Sequence, residues 1–241
     1  MTQSNLHQES VVYKLDGAAY EGAFVYDAAV RGRRPGILVA HAKFGADAFA
    51  RRKAAQLARL GFVALAIDLY GSGRLAKDDA PAAQLSGELL RDRALLRARA
   101  SAGLKALRSN RLVEGNSIAA IGSCFGGAAA LELARSGAEL AGVVSFHGPL
   151  APAQAETGAI HAKILVLHGD QDPAVPDAEV DAFCGEMRRR GADWQLIRYG
   201  GAGAFTNTEP GPAAAAGEAL HALVEDRSWR AMRDFFGELF R

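Results

Sequence analysis

The sequence carries almost no excess of charge of either sign: 28 lysines and arginines stand against 27 aspartates and glutamates, a formal net charge of +1. No overall field therefore draws in nucleic acid, anionic lipid or a polyanion. Cysteine is scarce as well. Cys124 and Cys184 are too few for a disulfide framework and lack metal-ligand spacing, which fits a reducing compartment and leaves the fold to packing. No uninterrupted apolar run is long enough to span a bilayer, and residues 1–10 are polar without the basic-then-apolar order of a signal peptide. A cytoplasmic protein with neither a membrane nor a nucleic-acid partner is expected. There is no P-loop, no Gly-x-Gly-x-x-Gly fingerprint and no His/Cys/Asp cluster with metal spacing, so no cofactor and no metal are expected.

What is there is an ordinary globular composition, 49% hydrophobic and 23% charged over 241 residues, enough chain for one large core around a buried site. The expected layout is a polar tail over residues 1–10 and a single domain over 11–241. Val11-Val12-Tyr13 and residues 20–26 flank the turn signal Asp16-Gly17, which predicts an antiparallel hairpin. Short apolar runs then recur at 37–40, 62–67, 118–121, 143–146, 164–167 and 196–199, the pattern of strands covered on both faces. Helical stretches lie between most of them, at 48–60, 127–136, 177–190 and 228–240. Leu89, Leu96, Ala100, Leu104 and Leu107 place 86–108 on one long amphipathic helix. This alternation predicts an α/β fold with a mainly parallel central sheet, helices on both faces and the hairpin at its start. Residues 200–217, rich in Gly, Ala and Pro, are expected to form a long loop over one sheet edge.

The strongest chemical signal is Gly122-Ser123-Cys124-Phe125-Gly126-Gly127, directly after one strand and directly before an Ala/Leu helix. Small residues two before and two after Cys124 permit the tight strand-to-helix turn of a nucleophile elbow. The helix N-terminus would favour thiolate, and the Phe125 N–H would point at a developing oxyanion. Glycines packed for their own sake and a cysteine used as a small hydrophobe are the alternative. A second signal is Leu167-His168-Gly169-Asp170-Gln171-Asp172-Pro173 at the end of a late strand, where Asp172 could orient an imidazole or simply cap the turn.

Taken with Pro35-Gly36-Ile37-Leu38-Val39-Ala40-His41, Asp68-Leu69-Tyr70-Gly71, Ser145-Phe146-His147-Gly148 and Asp226-Arg227-Ser228-Trp229, these motifs resemble the dienelactone hydrolase family of the α/β-hydrolase fold nearly end to end. The resemblance implies a cysteine nucleophile at Cys124, a triad acid at Asp172, and an oxyanion hole from the backbone N–H groups of Phe125 and about Lys43. It implies a small ester or lactone as substrate, with no cofactor, in a monomer or homodimer. Two departures fall at the chemistry. Ala42 stands in the substrate site where the family has a glutamate that helps control the cysteine, and Ala204, or adjacent Gly203, stands where the family keeps its general-base histidine.

The loss matters because that imidazole takes the nucleophile's proton and gives one to the leaving group. His41, His147 and His168 all follow strands and could lie near the elbow, and His221 precedes Asp226, so these are the candidate substitutes. Lys43 could lower the Cys124 pKa or bind an anionic substrate, or its ammonium could reach water past the rim. Arg74 and Arg91 are candidate partners for a substrate carboxylate. Cys184, beside Phe183 and Met187, is expected in the core. The expected function is a cysteine esterase or lactonase impaired by the missing base. The alternative is a catalytically inactive relative, natural or engineered, that binds a small molecule.

Overall fold

A computed structural model describes residues 5–151, 158–205 and 216–241. The hairpin forms where Asp16-Gly17 predicts it: β1 (Leu6–Leu15) pairs antiparallel with β2 (Ala18–Asp27), and both turn residues take positive φ, 48° and 83°. Pairing starts at Leu6 opposite Asp27, so the second half of the expected polar tail belongs to the sheet. Backbone bonds to β2 hold residues 6–10, whose mostly exposed side chains left no apolar signal.

Six more strands follow: β3 (Arg34–Ala40), β4 (Val63–Ile67), β5 (Val113–Ser123), β6 (Gly142–Phe146), β7 (Lys163–Gly169) and β8 (Trp194–Tyr199). They join the hairpin in one eight-stranded sheet of order β1-β2-β4-β3-β5-β6-β7-β8. β2 meets β4 antiparallel, and every pair beyond is parallel. Alternate residues of the inner strands feed two apolar layers. Leu38, Leu65, Ala120, Val143 and Val166 face one, and Val39, Ala64, Ala119, Val144 and Leu165 face the other. α1 (Ala48–Arg59) and α6 (Ala216–Leu239) cover the second layer, while α2 (Asp79–Arg91), α3 (Arg93–Ser109), α4 (Phe125–Arg135) and α5 (Asp177–Arg189) cover the first.

The expected single helix over 86–108 is two helices. At Asp92 the backbone leaves the helical region (φ −104°, ψ 79°), and the Asp92 carboxylate accepts the Leu95 N–H at 2.9 Å, capping α3. The apolar period runs through the break because Leu89 and Leu96 both enter the same core. The last helix starts well before residue 228, taking in residues 216 and 217 of the expected loop; residues 206–215 of that loop lie outside the described part.

Behind the Cys124 turn, α4 is fixed by buried ions. Glu132, wholly inaccessible, meets Arg97 at 2.7 Å, Arg135 at 3.0 Å and Arg93 at 3.4 Å; Arg135 in turn meets Glu186 of α5 at 2.7 Å, and Arg190 meets Glu186 at 3.1 Å. Arg135 also donates to the Leu150 carbonyl at 2.8 Å. The network ties α3, α4 and α5 together at the far end of the helix that Cys124 begins.

Candidate active site

Cys124 stands between the end of β5 and the start of α4 with φ 54° and ψ −122°, a backbone conformation that costs a side-chain-bearing residue energy. The surroundings hold it there. Its N–H donates to the Phe146 carbonyl at 2.9 Å, and its own carbonyl accepts from Gly127 at 2.9 Å and Ala128 at 3.3 Å. The flanking glycines are required by close approach. A Cβ at Gly122 would lie 2.1 Å from Gly126 backbone atoms, and one at Gly126 would lie 2.3 Å from the Ala40 carbonyl oxygen. The Gly-x-Cys-x-Gly spacing thus records backbone packed on backbone.

The Cys124 thiol is pushed up from its ordinary pKa, chiefly by burial. The Phe125 N–H bonded to the sulfur and the Lys43 charge pull the other way, and Asp172 adds to the rise. The helix N-terminus was expected to leave the thiol acidified. It does not, because desolvation outweighs the amide and the ammonium together. Lys43 acts on the sulfur, and its Nζ, expected to reach a substrate anion or water, pairs with Asp79 Oδ1 at 2.6 Å.

Asp172 is buried at the end of β7, and its Oδ1 accepts the Ala174 N–H at 3.0 Å, so it caps its own turn. The turn that follows β8 lies against this loop: Gln171 donates to the Ala202 carbonyl at 2.8 Å, and a Cβ at Gly169 would meet the Gly203 carbonyl oxygen at 2.0 Å. Ala204 is exposed between buried Ala202 and Phe205. The chain therefore brings position 204 to the Asp172 loop, carrying a methyl group.

The four candidate substitute histidines differ in their surroundings. His41 donates from Nδ1 to the Ala42 carbonyl at 2.6 Å and accepts the Leu69 N–H on Nε2 at 3.1 Å, so neither nitrogen is left to take a proton, and burial pushes its pKa down. His147 is buried at φ 38°, with its ring 5.4 Å from Phe205; burial lowers its pKa to about 4. His168 is almost wholly inaccessible, its Nδ1 has no hydrogen-bond partner, and burial and then Arg198 lower its pKa. His221 is half-buried on α6. The charged side chains that act on the Cys124 sulfur are Lys43 and Asp172.

Ala42 lines a narrow cleft between the sheet and helices α1 and α6, with about 10 Å³ of room for a water-sized molecule. Ser123, Phe146 and Trp229 share its wall, and Lys53 closes it, paired with Glu225 at 2.6 Å and lying over the rings of Phe49 and Trp229. Arg74 is exposed on the loop that packs on residues 44 and 45, through a bond from Ala76 N–H to the Phe44 carbonyl at 2.9 Å. Arg91 is exposed in the last turn of α2, folded back over Gly87 of its own helix. Cys184 is half-buried against the core. Among the described residues no three His, Cys, Asp or Glu side chains are grouped to hold a metal ion, and no helix is long and apolar enough to cross a membrane.

The site-residue expectations omitted Asp68 and Tyr70. Asp68 is fully buried, and its carboxylate accepts the N–H groups of Tyr70 and Gly71 at 2.8 Å, Gly73 at 2.9 Å and Glu21 at 3.2 Å. Its carbonyl takes the Tyr13 hydroxyl at 2.8 Å, and its N–H bonds back to that hydroxyl at 3.0 Å. The loop after β4 is thereby fixed, with Tyr70 buried beside the Phe125 and His41 rings. The only sequence signal was an aspartate at a strand end followed by a tyrosine and two glycines.

Solved structures share this fold over nearly the whole chain. A solved structure named m3DLH is 41% identical and superposes with a TM-score of 0.92, covering 98% of this chain and 100% of that one. A dienelactone hydrolase-like promiscuous phosphotriesterase from metagenomic libraries is 40% identical, with a TM-score of 0.90 and the same coverage. A Bradyrhizobium protein named as a probable 2-oxo-3-(5-oxofuran-2-ylidene)propanoate lactonase is 29% identical over 75% of this chain and 77% of its own length. The profile of the dienelactone hydrolase family matches residues 22–240, from the second hairpin strand to the last helix. With the sheet order, the elbow and these likenesses in agreement, the chain belongs to the dienelactone hydrolase family of the α/β-hydrolase superfamily.

Proposed function

We propose that the chain hydrolyses small esters or lactones through an acyl-enzyme on Cys124, slowly and with a preference for activated leaving groups. Family membership supports a hydrolase. The observation that carries the finer reading is Cys124 itself, held at φ 54° on the elbow with the Phe125 N–H bonded to its sulfur. In the first step the sulfur adds to the substrate carbonyl, and the negative oxygen that forms is met by backbone N–H groups at Phe125 and about Lys43. The carbon–oxygen bond to the alcohol then breaks, leaving a thioester and an alkoxide that takes a proton from water. Attack of water on the thioester releases the acid and restores the thiol.

The missing imidazole sets the limits of this chemistry. Burial keeps most of Cys124 protonated at neutral pH, so only the small thiolate fraction attacks. Without a positioned general acid, the leaving oxygen must be stable by itself, as an aryl oxide or an enolate is. Enol lactones and aryl esters satisfy this, and the lactonase name of the Bradyrhizobium relative is in keeping with the first. A second reading, a small-molecule binding protein without turnover, is favoured by one observation: position 204, in the turn that rests on the Asp172 loop, carries a methyl group and no imidazole.

Intact mass spectrometry during reaction with p-nitrophenyl acetate separates the two. Acetylation of Cys124, lost in Cys124→Ala and followed by slow release of acetate, is expected. A chain that stays unmodified while still binding an aryl ester reversibly would establish the binding reading.

A further inference from the structure

We propose that Tyr70 is a positioning residue that sets both sides of the oxyanion hole, a role that rests on the acyl-transfer reading above. Its hydroxyl donates to the Lys43 carbonyl at 2.7 Å, and its ring stacks on that of Phe125, with centroids 5.8 Å apart and planes 25° from parallel. One side chain thus touches each of the two residues whose N–H groups face the developing oxygen. It is buried, and the Asp68 carboxylate pins its backbone.

The Lys43 side of the hole explains why a hydroxyl is needed. Lys43 lies in the loop leaving β3, outside any strand or helix, so no ladder of backbone bonds fixes its peptide planes. The plane before it is held by its carbonyl: Ala42 oxygen accepts His41 Nδ1 at 2.6 Å and the Gly45 N–H at 3.3 Å. In a trans peptide this turns the Lys43 N–H the opposite way, away from His41. The plane after it is held by the Tyr70 hydroxyl alone among the hydrogen bonds described above. His41 packs edge-on against Tyr70 at 4.6 Å, so the rings of His41, Tyr70 and Phe125 form one brace across the two donors. Removing the hydroxyl frees rotation about the Lys43 backbone, and the donor spends less time where a tetrahedral intermediate needs it.

The test compares two reactions of the same sulfur in the wild type and in Tyr70→Phe, which keeps the ring and deletes the hydroxyl. Acylation by p-nitrophenyl acetate passes through an oxyanion, whereas alkylation by iodoacetamide does not. Tyr70→Phe is expected to lower kcat for the ester about tenfold, short of the 10²–10³-fold seen when an oxyanion donor is deleted outright. KM and the iodoacetamide rate should stay within about twofold of wild type, as expected when only the transition state loses a contact. Binding of an aryl trifluoromethyl ketone, which adds to the sulfur and carries a full negative oxygen, should weaken in step with kcat. Tyr70→Leu, which also removes the stack on Phe125, should lose more in both oxyanion readouts. The proposal is overturned if acylation and alkylation fall equally, if neither acylation nor ketone binding falls, or if the ketone fails to add to the wild-type sulfur. If the wild type is never acylated by the ester yet binds the ketone in a Tyr70-dependent way, the hydrolase reading fails and this one stands.

Discussion

Lys43 Nζ lies 2.6 Å from Asp79 Oδ1, the first residue of α2, while its charge still acts on the Cys124 sulfur. The lysine therefore serves a thiolate and a carboxylate at once. Lys43→Met should slow iodoacetamide labelling of Cys124 at pH 7.5 by about threefold, the effect of roughly half a pKa unit. Asp79→Asn should have the opposite effect, and both differences should shrink in about 1 M salt, where exposed charges are screened. Labelling rates that ignore both substitutions at low salt would remove Lys43 from the account of the thiol.

Cys124 should be alkylated before Cys184 even though burial raises its pKa, because a less acidic thiol gives the stronger nucleophile and a backbone N–H and an ammonium offset part of the burial cost, whereas Cys184 packs on the apolar core. Burial raises the Cys124 pKa, so its labelling rate should still climb tenfold per pH unit past the usual thiol range of about 8.5. Peptide mapping after brief labelling decides the order. Equal labelling, or a rate that levels off below neutrality, contradicts the assignment.

Ala204→His should raise aryl-ester hydrolysis at least about tenfold, a small part of what a positioned general base supplies. Position 204 is exposed and its turn rests on the Asp172 loop, so a ring has both space and an acid nearby. A histidine inserted between Gly203 and Ala204 tests whether turn length also matters. If neither variant gains activity while both keep the wild-type circular dichroism, the missing base is not what limits the reaction.

Glu132→Gln should destabilise the chain by about 3 kcal/mol or more, because it leaves three arginines around an uncharged amide in a buried setting. Urea unfolding at pH 7 measures this. A loss below about 1 kcal/mol, the size of an exposed pair, would mean that the arginines find water instead.

His147 links stability to pH. Its folded pKa of about 4 lies below the unfolded value near 6.5, so the unfolded chain binds the extra proton between these limits. Its contribution is complete above pH 6.5 and falls away as the pH drops towards 4, by roughly 3 kcal/mol. His41 and His168 are shifted in the same direction and add to the loss. His147→Asn should flatten part of this slope in urea titrations at pH 7 and 4.5; an unchanged slope would contradict the burial of a neutral ring.

Most of the fold was legible because inner strands such as Val63–Ile67 and Gly142–Phe146 are buried at every residue and so read as apolar runs between glycines. The break at Asp92 was not, since the apolar period continues across it and only the capping carboxylate marks the stop. The Cys124 turn was legible because its glycines are forced by backbone contacts, Gly122 on Gly126 and Gly126 on Ala40. The direction of the thiol's shift was not, because desolvation is summed over the whole surround. Asp68 and Tyr70 escaped for a similar reason: their partners lie 55 and 27 residues away in the chain.

The Tyr13 hydroxyl on Asp68 ties the amino-terminal hairpin to the candidate site. Tyr13 steadies Asp68, Asp68 steadies the Tyr70 backbone, and Tyr70 reaches Lys43 and Phe125. A purification tag that pulls at the leading strand would therefore strain the loop that carries Tyr70 without touching the parallel strands of the central sheet.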